Sequence, residues 1–129
     1  MTCVNRPEIL AEVTAVFERY EAAFQSNDTA VLDELFWDDP RVVRFGAAEV
    51  NYGAQQVRAY RAAHPGDDLV RTLSRTTITT FGDSMATACI EFRRVRSGVE
   101  GRQSQTWIRT DAGWRVVAAH VTELAGGSA

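Results

Sequence analysis

LVRTLSRTTITTFGDSMATACIEFRRVRSGVEGRQSQTWIRTDAGWRVVAAHVTE, Leu69 to Glu123, is the stretch that decides the fold. It divides into Leu69 to Phe81, Met85 to Arg94, Gly101 to Thr110 and Trp114 to Glu123, four runs rich in β-branched and aromatic residues. Gly82-Asp83, Ser97-Gly98 and Asp111-Ala112-Gly113 stand at the joins, so the runs are expected to be strands of an antiparallel meander with hairpin connections. Four long strands with no second sheet to cover them must curl around something to bury an inner face.

The residues N-terminal to the meander supply the cover. Asn5 and Glu8, with Pro7 in the first turn, read as a helix start; Ile9, Val13, Val16, Phe17, Tyr20 and Phe24 then share one face, taking the helix to about Gln25. Ser26-Asn27-Asp28 forms a turn and an N-cap, and Val31, Leu32, Leu35 and Phe36 give a short second helix that stops before Pro40. Arg41 to Phe45 reads as a strand, Gly46 to Tyr52 as a second short strand or loop, and Ala54 to Ala63 as a third helix ending at Pro65 and Gly66. Helices gathered on one side of a curled sheet define an α+β class, and this element order is that of the SnoaL-like or nuclear-transport-factor-2-like cone. One domain is expected over residues 5–124, with 125–129 as a disordered tail.

At 129 residues the chain can bury one core, and its 24% of charged residues argues for an ordinary globular domain. Its net charge of −3 offers no basic field, so neither nucleic acid nor an anionic membrane is an expected partner. Without a bilayer-length apolar run or a basic, apolar leader, a cytoplasmic location follows as an expectation. Cys3 and Cys89 lack metal-ligand spacing, and His64 and His120 lie far apart, so no metal and no cofactor are expected.

In a cone the inward side chains line a pocket. Gln103, Gln105 and Trp107 alternate onto one face of their strand, and amides on a concave face need partners that a polar ligand can provide. The alternative is an outer or dimer face. Strict alternation places Trp114, Val116, Ala118 and His120 together, which makes His120 either a satisfied core histidine or a proton-transfer group. Tyr20 continues the apolar stripe of the first helix, and its hydroxyl needs an outlet. Arg44, between Val43 and Phe45, is either a solvated edge residue or a fork for a carboxylate. Arg58, Arg61, Arg71 and Arg75 read mainly as a solvated face that can raise the potential at a pocket mouth, and Glu91 as one half of an ion pair. Trp and Ile on outward positions would make the outer sheet face a dimer surface.

NRPEILAEVTAVFERYEAAF, DTAVLDELFWDDPRVVRFG, ITTFGD and GRQSQTWIRTDAGWRVVAAHVT together closely resemble the AtzH-like proteins, a branch of the SnoaL-like superfamily that includes the oxalurate-catabolism protein of bacterial purine breakdown. The resemblance runs from about Asn5 to Thr122. It implies a cofactor-free homodimer acting on small anionic ureido acids by hydrolytic deamination or decarboxylation, with Tyr20 and Arg44 at the positions of the family's proposed catalytic pair. On that basis Tyr20, Arg44 and His120 are the expected catalytic residues, and Gln103, Gln105 and Trp107 the expected substrate-binding ones. The competing readings are a non-catalytic ureide-anion binder or accessory dimer for a larger amidohydrolase, a proton-transfer isomerase, and a ligand-free structural dimer.

Overall fold

The computed structural model describes residues 3–65 and 68–124; Gly66 and the segment read as a tail, 125–129, lie outside the described residues. Three helices precede the long strands: α1 (Pro7–Ser26), α2 (Thr29–Leu35) and, after the short strands β1 (Val43–Phe45) and β2 (Val50–Tyr52), α3 (Ala54–Ala63). The meander follows as β3 (Arg71–Phe81), β4 (Met85–Arg94), β5 (Glu100–Thr110) and β6 (Gly113–Glu123).

Proline at its start suits α1 because the first turn has no use for the missing N–H. Asn5 is not the cap: it has φ 57°, and its side chain accepts from Thr80 N–H at 2.9 Å, tying the N-terminal segment to β3. At the other end Asn27 adopts the left-handed conformation, φ 54°, which a short amide side chain tolerates. Asp28 then accepts from Val31 N–H and caps α2. Two polar residues thus end one helix, start the next and fold the pair into a hairpin.

The sheet runs β2-β1-β6-β5-β4-β3. Every long strand is antiparallel to its neighbour, and β1 joins β6 in parallel, so the sheet is mixed; it is open, with β2 and β3 as edges. Bulges in β3 and in β6 break the strict register and sharpen the curl. The helices fill the concave side, where Tyr20 meets Trp107 edge-on at a centroid distance of 6.1 Å among Val13, Phe17, Leu35 and Phe92. This is the expected α+β cone.

The β6 bulge corrects one expectation. Trp107 pairs with Val116 but Thr106 pairs with Ala118, leaving Val117 as an extra residue. Alternation therefore changes phase: Trp114 and Val116 face inward, then Ala119 and Val121, while His120 turns to the exposed side. There its ring meets Phe45 edge-on at 5.5 Å. Two further expectations change: the long strands present no tryptophan on their outer face, since Trp107, expected in the pocket, and Trp114 are both buried, and Glu91 stands on the outer face in register with Arg75 and Arg102 without an ion pair among the described residues.

Candidate functional site

The site follows from one cross-strand row. Asn51, Arg44, Ala119, Gln105 and Ala88 are successive partners across β2, β1, β6, β5 and β4, and residues directly opposite share a face. A methyl group at position 119 leaves room between the long polar side chains at 44 and 105. Above this row lies a chamber of about 50 Å³ lined by Tyr20, Arg44, Tyr60, Arg61 and His64, among others. It shares Phe24, Arg44, Tyr60 and Leu69 with an outer lobe of about 330 Å³ that opens past Glu49 and Ser97. Arg44 lines both.

Two guanidinium groups meet at the chamber. Arg44 donates to Glu49 at 2.5 Å and lies over the Tyr60 ring; Arg61 donates to Asp33 at 2.5 Å and lies over Phe36. Burial pulls the Arg61 guanidinium below its ordinary basicity; Tyr20 and Asp33 oppose that, and Arg44 reinforces it. Each guanidinium has one carboxylate partner and keeps further N–H donors, which an anionic ligand could take up.

Deeper in, the hydrogen bonds have a fixed direction. Arg71, buried between the rings of Phe24 and Phe92, donates to both oxygens of Glu21 at 2.7 and 2.8 Å and to Gln103 Oε1 at 3.0 Å. A guanidinium only donates, so this contact fixes the Gln103 amide and turns its Nε2 toward Tyr20 Oη, 3.4 Å away. Tyr20 accepts there, and its own proton is left for another acceptor. The same logic orients Gln105: the Trp107 indole, also donor-only, gives its N–H to Gln105 Oε1 at 2.9 Å. Gln105 Nε2 is left buried without a protein acceptor, as are Asn51 Nδ2 and Arg71 Nη1. The Thr80 hydroxyl is a fourth such group among the described residues, and of the four residues only Arg71 lines the outer lobe.

The structure therefore brings Tyr20 and Arg44 to one chamber and puts Gln103, Gln105 and Trp107 on the concave face behind it. His120 is not among the chamber's lining; the histidine there is His64. Its Nδ1 lies 2.8 Å from the Tyr60 carbonyl, which only accepts, so Nδ1 carries the proton and Nε2 is an acceptor. Sequence reading missed His64, Glu49, Asn51 and the Glu21–Arg71 pair. Glu21 was findable: it lies four residues after Phe17 and three before Phe24, on an apolar helix face where a carboxylate needs a cation.

The AtzH-like family model matches residues 2–126. The chain belongs to the AtzH-like family. Among solved structures, this AtzH-like chain is 52% identical to a protein of unknown function from Pectobacterium atrosepticum, with 95% of each chain covered and a TM-score of 0.91. It is 42% identical to a cystatin-like fold protein from Burkholderia xenovorans, covering 97% and 98% of the two chains with a TM-score of 0.92. A nuclear-transport-factor-2-like protein of unknown function from Pseudomonas putida, 21% identical over 87% and 84% of the chains with a TM-score of 0.75, shares the fold. No curated protein matches the chain. The family and the fold suggest a small-molecule-binding domain. No helix among the described residues is long and apolar enough to cross a membrane.

Proposed function

We propose that this AtzH-like protein acts on small carboxylated amides or ureas, of oxalurate or dicarboxyurea type, by hydrolytic deamination or decarboxylation. The observation that carries the reading is the chamber lined together by the Tyr20 phenol and the Arg44 and Arg61 guanidinium groups. Arg44, supported by Arg61, holds the substrate carboxylate, and Gln105 Nε2 offers a hydrogen bond to the carbonyl oxygen where charge builds up.

Tyr20 serves as the proton donor. In decarboxylation the bond between nitrogen and the carboxylate carbon breaks, CO₂ leaves, and the nitrogen takes the phenol proton. In hydrolysis water adds to the carbonyl and the proton goes to the departing amine, with His64 Nε2 as the base that receives the water's proton. Trp107 is a positioning residue that holds Gln105. His120, on the outer face, has no part in this scheme. No cofactor enters it.

The protein is further proposed to work in the cytoplasm as a homodimer joined through the outer sheet face. Across β4, β5 and β6 that face carries the rows Cys89–Ser104–His120 and Thr87–Thr106–Ala118, a strip of small and uncharged side chains around one histidine.

Ammonia and CO₂ release from oxalurate and carboxylated ureas tests the activity. Wild type should turn over at least one of them. Tyr20→Phe should lose turnover by about 10²-fold or more, with binding retained. Arg44→Ala should lose binding as well. Wild-type rates equal to those of either variant would sink the catalytic reading, and binding without product would identify a ureide-anion binder or accessory dimer instead.

A further inference from the structure

Arg44 already holds a carboxylate. Its Nη1 donates to Glu49 Oε1 at 2.5 Å, and the two side chains are only 15% and 19% exposed, so the contact is more than a loose surface pair. Glu49 sits in the connection between β1 and β2. The Gly46 N–H donates to the Glu49 carbonyl at 2.9 Å and the Ala48 N–H to Glu49 Oε2 at 3.4 Å, so the turn and the side chain are organised together. A Cβ at position 46 would stand 1.7 Å from Glu49 Oε1, so a side chain there would force the carboxylate to swing away. The absence of one at Gly46 is what lets the Glu49 carboxylate fold back onto Arg44.

The other cations of the outer lobe are differently placed. Arg71 is held by Glu21 and Arg94 by Glu123, whereas Arg44 alone lines both the outer lobe and the inner chamber. Its partner Glu49 lines the outer lobe, where an incoming carboxylate has to pass, whereas Asp33, the partner of Arg61, lines neither lobe.

We propose that Glu49 is a built-in competitor for the Arg44 subsite, a latch that a ligand's carboxylate must displace. This rests on the reading of Arg44 as the carboxylate-binding residue. The apparent affinity of every carboxylate ligand is reduced by the fraction of molecules with the latch open, and by the same factor whatever the rest of the ligand looks like. A simple monocarboxylate only exchanges one carboxylate for another at Arg44 and gains little. A ligand that also offers acceptors to Tyr20, Arg61 and Gln105 gains enough to open the latch. Glu49 thereby sets a threshold that excludes simple acids.

Calorimetric titration with acetate and with malonate tests this, using wild type, Glu49→Gln, Glu49→Asp, and each variant combined with Arg44→Ala. Glu49→Gln removes the charge; Glu49→Asp keeps it and shortens the reach by one methylene. Both variants should bind both probes roughly tenfold more tightly, by one common factor, and Arg44→Ala should erase the gain. The latch is overturned if Glu49→Asp binds like wild type, which leaves only a diffuse field effect, or if the gain survives Arg44→Ala. It is overturned equally if affinity falls together with melting temperature, as it would if Glu49 merely braced the turn. The probes do not react, so failure to turn over any ureido acid would remove the catalytic reading and leave these results standing.

Discussion

The Glu21–Arg71 pair shows how one residue on the first helix controls chemistry across the core. Arg71 has a fully buried side chain, and Glu21 is its only countercharge among the described residues. Removing one partner from a buried pair leaves the other charge stranded, a far larger penalty than the net worth of the pair. Glu21→Ala should therefore cost about 3–5 kcal/mol in urea or guanidinium unfolding, against well under that for Arg19→Ala, whose pair with Glu34 is about half exposed. A Glu21→Ala loss below ~1 kcal/mol would show that Arg71 finds other compensation. The consequence reaches the site, because Arg71 sets the Gln103 amide and Gln103 sets which way the Tyr20 hydroxyl can donate.

At the scale of the elements, β6 carries the lesson about what a sequence reveals. Its length and ends were legible, as were those of β4 and α3, because β-branched runs, turn residues and helical spacing are local properties. The pocket-facing identity of Gln103, Gln105 and Trp107 was legible too, since β5 alternates through those positions. His120 was not, because the bulge at Val117 lies within the run Val116-Val117-Ala118-Ala119, with no glycine or proline to mark it. Glu49 was hidden for a different reason: its importance depends on a contact made across a turn. Deleting Val117 should remove the bulge and leave the pairs Thr106–Ala118 and Gln105–Ala119 in place, so that Ala119 and Val121 stay inward and His120 outward. The expected outcome is a folded variant that keeps one cooperative thermal transition at a lower melting temperature, because the curl that the bulge sharpens is lost, whereas Val117→Ala should cost only about 1 kcal/mol. A deletion variant with no cooperative transition would disprove the placement of Val117 as the extra residue.

For the molecule as a whole, the two faces of the sheet divide the work. In the proposed function its concave face spends polar groups on a ligand, and its convex face meets a second copy. Placing an arginine in the middle of the convex strip, as in Thr106→Arg, should convert the dimer into a folded monomer by light scattering, since two like charges would meet near the symmetry axis. A wild type that is monomeric at tens of micromolar (roughly the range in which stable dimers persist) would dispose of the dimer proposal. Fold class was readable at this scale from element order alone, whereas the outer face was not, because sequence alternation assigns residues to faces without saying which face is covered.

The parallel pairing of β1 with β6 has a bearing on how the protein is made. Arg44 comes from the first strand, yet its neighbour in the sheet is the last of the six, and β5 follows on the far side. While the ribosome is still adding residues before Gly113, β1 and β2 have no sheet to join, and neither Ala119 nor the row beside it exists. Helix hairpin and β3–β5 meander can form early from local contacts, but binding competence arrives only with the final strand, a long-range closure that is intrinsically slow. A nascent chain therefore passes through a period in which it is largely structured and still lacks the proposed ligand site.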